Sequence, residues 1–142
     1  MKLFLDCEFN GFGSELISLA LVDENNHSFY EVVECLHPIP WVAQHVIPRL
    51  NQNPISLKQF QSRLQIFLFQ YENIHVIADW PEDFSLFTRS LVLSPGKCIR
   101  TPDLTMQLWM ESAQNTSVLS ENPHNALADA QALKASYENA HR

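Results

Sequence analysis

A mixed α/β domain is what this sequence predicts: an antiparallel three-strand meander extended by parallel crossover strands and flanked by helices. Three observations carry the expectation. Apolar runs over residues 2–7, 15–23 and 27–34 are joined by close turns, the pattern of an antiparallel meander. A capped helical pattern begins at Ser56. A short buried run at 74–78 then alternates with further helical patterns, the order of parallel crossovers.

The elements follow in order. Residues 2–7 hold Leu3-Phe4-Leu5, a near-continuous apolar run that suits a central strand covered on both faces. Asn10-Gly11-Phe12-Gly13-Ser14 makes a turn into the second strand, ELISLALVD at 15–23. Asn25-Asn26 turns the chain tightly into the third, HSFYEVVE at 27–34. Pro38, Pro40 and Pro48 bracket a short helical piece, WVAQHV, in an otherwise irregular stretch. Ser56 and Gln59 fit a capping box, and Leu57, Phe60, Leu64, Phe67, Leu68 and Tyr71 then recur at helical spacing. IHVIA at 74–78 is a buried strand. Trp80-Pro81-Glu82-Asp83 opens a helix, with proline and acids where the first turn favours them. Cys98-Ile99-Arg100 reads as a last short strand and 104–111 as a helix. The polar run from Ser112 to Asn122 reads as a loop, and the final helix starts near Pro123.

Length and composition bound the class. At 142 residues the chain is read as one domain, 1–142, long enough for a sizeable core. No apolar run is long enough to span a bilayer. MKLFLDCEF lacks the apolar stretch and small-residue cleavage site of a secretory leader, so the expectation is a cytoplasmic protein without a membrane partner. Cys7, Cys35 and Cys98 are odd in number and far apart, which argues against a disulfide framework and a structural zinc site. Cys7 alternates with two acids and reads as a buried thiol on the opposite face of its strand. A net charge of −7 argues against gripping long nucleic acid through a basic surface. It leaves room for an enzyme that takes a chain end through cations bridging carboxylate to phosphate.

The acids give that reading its substance. Asp6 and Glu8 are two apart on a strand, so both carboxylates point to one face, at the end of a central strand. Like charges that close repel, and hard divalent cations would relieve them. Asp79 closes a buried strand and Asp83 lies in the first turn of the next helix, at the end of a parallel sheet where α/β sites form. Each also has a bland use, as a cap or a dipole partner of that helix. In PHNALADAQAL, residues 123–133, His124 sits at a helix start and Asp129 more than one turn on, while Ala126 and Ala128 let the helix approach the sheet.

With these motifs in order the chain resembles the DEDDh, or DnaQ-like, 3′–5′ exonucleases of the RNase H-like fold. Asp6-Cys7-Glu8 matches the family's first D-x-E motif, and His124-Asn125-Ala126-Leu127-Ala128-Asp129 its final H-x-A-x-x-D. The middle aspartate of the family opens a helix after the fourth strand. Asp83 fits that place, and Asp79 is its rival because the usual Asn and Phe before the aspartate are missing. The chain looks most like the compact bacterial exoribonuclease-like branch, which has a similar PWVAQHVIPRL stretch.

The resemblance implies two Mg²⁺ or Mn²⁺ ions held by Asp6, Glu8, Asp83 (or Asp79) and Asp129, with His124 deprotonating the attacking water. The implied reaction is 3′–5′ exonucleolytic release of nucleoside 5′-monophosphates from single strands or 3′ overhangs, RNA before DNA. A small-dinucleotide phosphodiesterase and a catalytically silent binding module are the alternatives. Phe9, Phe12 and Leu16 would wedge or stack terminal bases, or else pack the core. Homodimers are frequent among such relatives.

Overall fold

The computed structural model describes residues 1–110 and 118–142. The chain forms β1 (Lys2–Phe9), β2 (Leu16–Asp23), β3 (Ser28–Val32), α1 (Pro40–His45), a 3-10 turn (Ile47–Arg49), α2 (Leu57–Leu68), β4 (Asn73–Ala78), α3 (Pro81–Ser90), a small hairpin of β5 (Val92–Ser94) and β6 (Lys97–Cys98), β7 (Asp103–Leu108) and α4 (Ala126–Ala140). One mixed sheet of five strands runs in the order β3-β2-β1-β4-β7. The β1–β2 and β2–β3 pairs are antiparallel, and β1–β4 and β4–β7 are parallel. The expected meander with parallel crossovers is therefore present.

Strand alternation divides the sheet's cover. Leu3, Leu5 and Cys7 of β1 join Leu19 and Leu21 of β2 on one face, packed with Phe60, Leu64 and Leu68 of α2 and Leu86 and Phe87 of α3. Fully burying one such Leu or Phe contributes about 1.5–3 kcal/mol, so this layer is the main apolar store of the fold. The other face carries Phe4, Asp6 and Glu8 and is covered by α4. Ala126 and Ala130, both fully buried, lie on Ala20 and Val22. Leu133 and Tyr137 lie on Phe4 further along. Alanines at the start of α4 bring its first turn close to the sheet, which sets the site. Among the described residues, no helix is long and apolar enough to cross a membrane.

The Ser56–Gln59 capping box forms reciprocally, at 3.2 and 3.3 Å. The helix it opens ends at Leu68, so Tyr71 lies beyond it. Cys7 is buried on the face opposite Asp6 and Glu8.

Three expectations are corrected. Residues 104–108 are not helical: they lie in β7, paired in parallel with β4 from Asn73–Asp103 to Ala78–Leu108. Leu, Met and Gln are good helix formers, but the pairing overrides propensity. It is reinforced where Thr105 Oγ1 and Gln107 Oε1 bond the two ring nitrogens of His75 at 2.7 and 3.0 Å. Second, Cys98-Ile99-Arg100 is not the last strand of the main sheet. Lys97–Cys98 pairs only with β5, and Ile99 drops into the core. Third, α4 starts at Ala126, not Pro123. Asn125 is its N-cap, accepting from Ala128 N at 3.1 Å, and His124 lies outside the helix. Most of the expected loop, residues 112–117, lies outside the described residues, as does residue 111 of the expected helix.

Candidate metal centre

Sheet and helices bring the acids to one place, at the carboxyl ends of the parallel strands β1 and β4. Asp6 and Glu8 project from β1 on the α4 face. Asp129 enters from the first turn of α4. Asp79 follows β4 directly, and Asp83 lies in the first turn of α3. Carboxylate oxygens of Asp6, Glu8 and Asp129 lie within 4.8 Å of one another, and so do those of Asp6, Asp79 and Asp83. Asp6 belongs to both groups. Asp79 and Asp83 thus stand together beside Asp6, where the sequence left a choice between them.

The electrostatics are unfavourable for bare carboxylates. Two unit charges 4 Å apart repel by about 4 kcal/mol near a protein surface. The N-terminal dipoles of α3 and α4 favour Asp83 and Asp129, but by only about 0.3–1 kcal/mol each. Desolvation, and then the charges of Asp83, Glu8, Asp129 and Asp79, hold the Asp6 carboxyl well above the ordinary range. Burial, with Asp129 adding to it, pushes Glu8 up to about 8. Asp83 is also raised to about 8, by burial first and Asp79 second, despite a hydrogen bond from the Cys7 backbone N–H. Asp129 is raised by burial, which outweighs hydrogen bonds from Ser120 and from His124 N. Asp6 Oδ2 and Asp83 Oδ2 are buried without a hydrogen-bond partner among the described residues. Oxygens in that condition, in two carboxylate groups sharing one member, suit hard divalent cations, which take oxygen ligands and cancel the repulsion.

His124 stands beside this cluster. Its backbone N donates to Asp129 Oδ2 at 3.1 Å, and its φ is +68°, in the left-handed region uncommon for a residue other than glycine. The loop carrying it is fixed by the next residue. Asn125, buried, donates from Nδ2 to Arg49 O at 2.7 Å and to Tyr30 Oη at 3.2 Å.

The three apolar candidates separate. Phe12 is fully exposed at the tip of the β1–β2 turn. Phe9 and Leu16 pair across that hairpin and pack against the core below, so they are partly structural. Sequence reasoning leaves Trp41 open between base stacking and packing and gives Asn125 no role, yet both matter here. Trp41 meets the His124 ring edge-on, with centroids 5.1 Å apart, and Asn125 holds the loop. An asparagine before an alanine-rich helix is a cap signal that could have located Asn125. No local pattern announces Trp41, which reaches His124 from 83 positions away.

The family models and curated proteins compared with this chain give no match to it.

Proposed function

We propose that this chain is a divalent-metal-dependent phosphodiester hydrolase of the RNase H-like, DEDDh type, trimming nucleotides from 3′ ends of single strands or overhangs, RNA before DNA. The observation that carries the reading is the pair of carboxylate groups sharing Asp6, with His124 seated against Asp129. The D-x-E and H-x-A-x-x-D motifs resemble that family's, and a meander flanked by parallel strands agrees with the expected sheet.

The residues fit the cations the reading needs. Asp6, Glu8 and Asp129 would hold one Mg²⁺ or Mn²⁺, and Asp6, Asp79 and Asp83 the other. Such ions, when bound, supply Lewis-acid stabilisation of the attacking and leaving oxygens in an in-line displacement. His124 takes the proton of the attacking water as its oxygen bonds to phosphorus. The bond from phosphorus to the 3′ oxygen of the preceding nucleotide breaks, and that oxygen leaves as a hydroxyl, taking a proton from solvent water while the His124 imidazolium returns its own to solvent. The product is a nucleoside 5′-monophosphate. A net charge of −7 supports few phosphate contacts, hence short or frayed ends and a shallow salt dependence. Phe12, fully exposed, is available to stack a base.

The test is 5′-end-labelled RNA and DNA, single-stranded and with 3′ overhangs, incubated with Mg²⁺ or Mn²⁺. A ladder shortened from the 3′ end, absent in Asp6→Ala, is expected, with RNA the faster substrate. Absence of metal-dependent products, or full activity in Asp6→Ala, contradicts the proposal. Faster DNA cleavage would reverse the sugar preference alone.

A further inference from the structure

The PWVAQHVIPRL stretch holds α1 and the 3-10 turn. In the structure it touches the loop that carries His124 through Trp41 and Arg49. Trp41, half exposed, meets the His124 imidazole in a T-shaped contact at 5.1 Å and 84°. His45 stacks on the same indole at 4.7 Å and 19°. The His45 ring nitrogen Nδ1 lies 2.8 Å from Trp41 O, which ties the two residues together a second time. Arg49 Nη1 donates to Pro123 O, next to His124 in the chain, at 2.8 Å. Asn125 returns a bond to Arg49 O at 2.7 Å. The stretch is itself rooted in the fold: Val42, Val46 and Leu50 are buried with Ile17 and Val32 of the sheet.

His124 needs such support. It precedes the N-cap of α4, so no regular element fixes it, and its backbone is left-handed. We infer that the Trp41–Leu50 segment is a clamp that sets the orientation of the His124 imidazole, with Trp41 and Arg49 as positioning residues. What His124 does in the clamp rests on the hydrolase reading; how it is held does not.

Kinetics separate positioning from base stacking. A residue acting through His124 changes turnover and loses its effect once the imidazole is gone. A residue stacking a base changes substrate affinity whether or not the imidazole is there. The experiment uses the full chain with Mn²⁺ and a short single-stranded RNA, comparing Trp41→Ala, Trp41→Phe, Arg49→Gln, His124→Ala and the Trp41→Ala/His124→Ala double variant. The His124 ring resonances, assigned by their loss in His124→Ala, are recorded by NMR without substrate.

Trp41→Ala should lower kcat about 10- to 100-fold, the scale of a misplaced catalytic group. KM should stay within about 3-fold, Trp41→Phe should recover most of the rate, and the double variant should be no slower than His124→Ala. The His124 resonances should shift in Trp41→Ala and in Arg49→Gln. Should Trp41→Ala fail to fold, Arg49→Gln carries the same comparison, with a smaller kcat loss expected. A rise in KM with kcat kept, or an undiminished Trp41 effect without His124, overturns the inference and makes Trp41 a substrate contact. A wild type without activity defeats the hydrolase reading alone. The clamp then stands or falls on the resonances, and unchanged His124 signals in both single variants overturn it.

Discussion

The sheet buries carboxylates at both of its ends, and it treats them in opposite ways. At one end, Asp23 closes β2 and is fully buried. Its oxygens accept from Asn25 N at 2.8 Å, His27 N at 2.9 Å and Tyr71 Oη at 3.0 Å, with the His27 ring at 3.2 Å. Burial alone would raise its pKa, but these bonds prevail and hold it below the ordinary range. At the other end, Asp6 and Asp83 each keep a buried oxygen without a partner among the described residues, and their neighbours are more acids. The same chemical group is satisfied in one place and frustrated in the other. Asp23 locks a turn; the crowded acids, on the proposed reading, are completed by cations. Burial of an acid therefore says little about its role, whereas the partners it lacks say much.

The largest effect should come from Asp6→Asn. Cation stabilisation supplies several kcal/mol of barrier lowering, so its loss should slow metal-dependent hydrolysis at least about 1000-fold. The same change should raise the melting temperature of the metal-free protein at pH 8, because it removes a shared source of repulsion. A lowered melting temperature would mean that Asp6 is a structural acid like Asp23. Next, His124→Ala should cost on the order of 100- to 10,000-fold in rate while Mn²⁺ uptake, followed by calorimetry, persists. Loss of both together would place His124 among the ligands.

At Asp23 the identical substitution should have the opposite sign. Asp23→Asn removes a charged acceptor of two backbone N–H groups and should cost about 1.5–3 kcal/mol in urea unfolding, with hydrolysis kept. A neutral result would erase the contrast between the two ends.

In the pH dependence the ends again oppose. A depressed folded pKa makes Asp23 stabilising above its unfolded value, near 4, and that contribution is lost as pH falls through the folded value. Glu8 and Asp83, raised to about 8, bind more protons folded than unfolded. The metal-free protein should therefore lose stability as pH rises from about 4 to about 8. Thermal melts at pH 5 and pH 8 should show this fall, and Mn²⁺ should reverse it more at pH 8. A rise in metal-free stability across that window would contradict the assigned shifts.

Much of this was legible from spacing. Asp6 and Glu8 share a face because strands alternate, and Ser56–Gln59 announces its helix because a capping box is local chemistry. What failed was set by distant partners. Residues 104–108 become a strand because β4 offers a free edge and His75 offers ring nitrogens to Thr105 and Gln107. Pro123 looked like a helix start, but Arg49 holds its carbonyl and Asn125 takes the cap. Sequence ranked Asp83 above its rival Asp79, whereas the turn between β4 and α3 brings both to Asp6.

On the proposed reading, the frustrated end is a site for two divalent cations. Calorimetric titration of the metal-free chain with Mn²⁺ at pH 7, repeated in buffers of different ionisation enthalpy, tests it most directly. Two ions should bind with release of protons from the raised carboxyls, and Asp6→Asn should lose both tight sites. No uptake by the wild type, or equal uptake by Asp6→Asn, would rule out a two-cation site sharing Asp6.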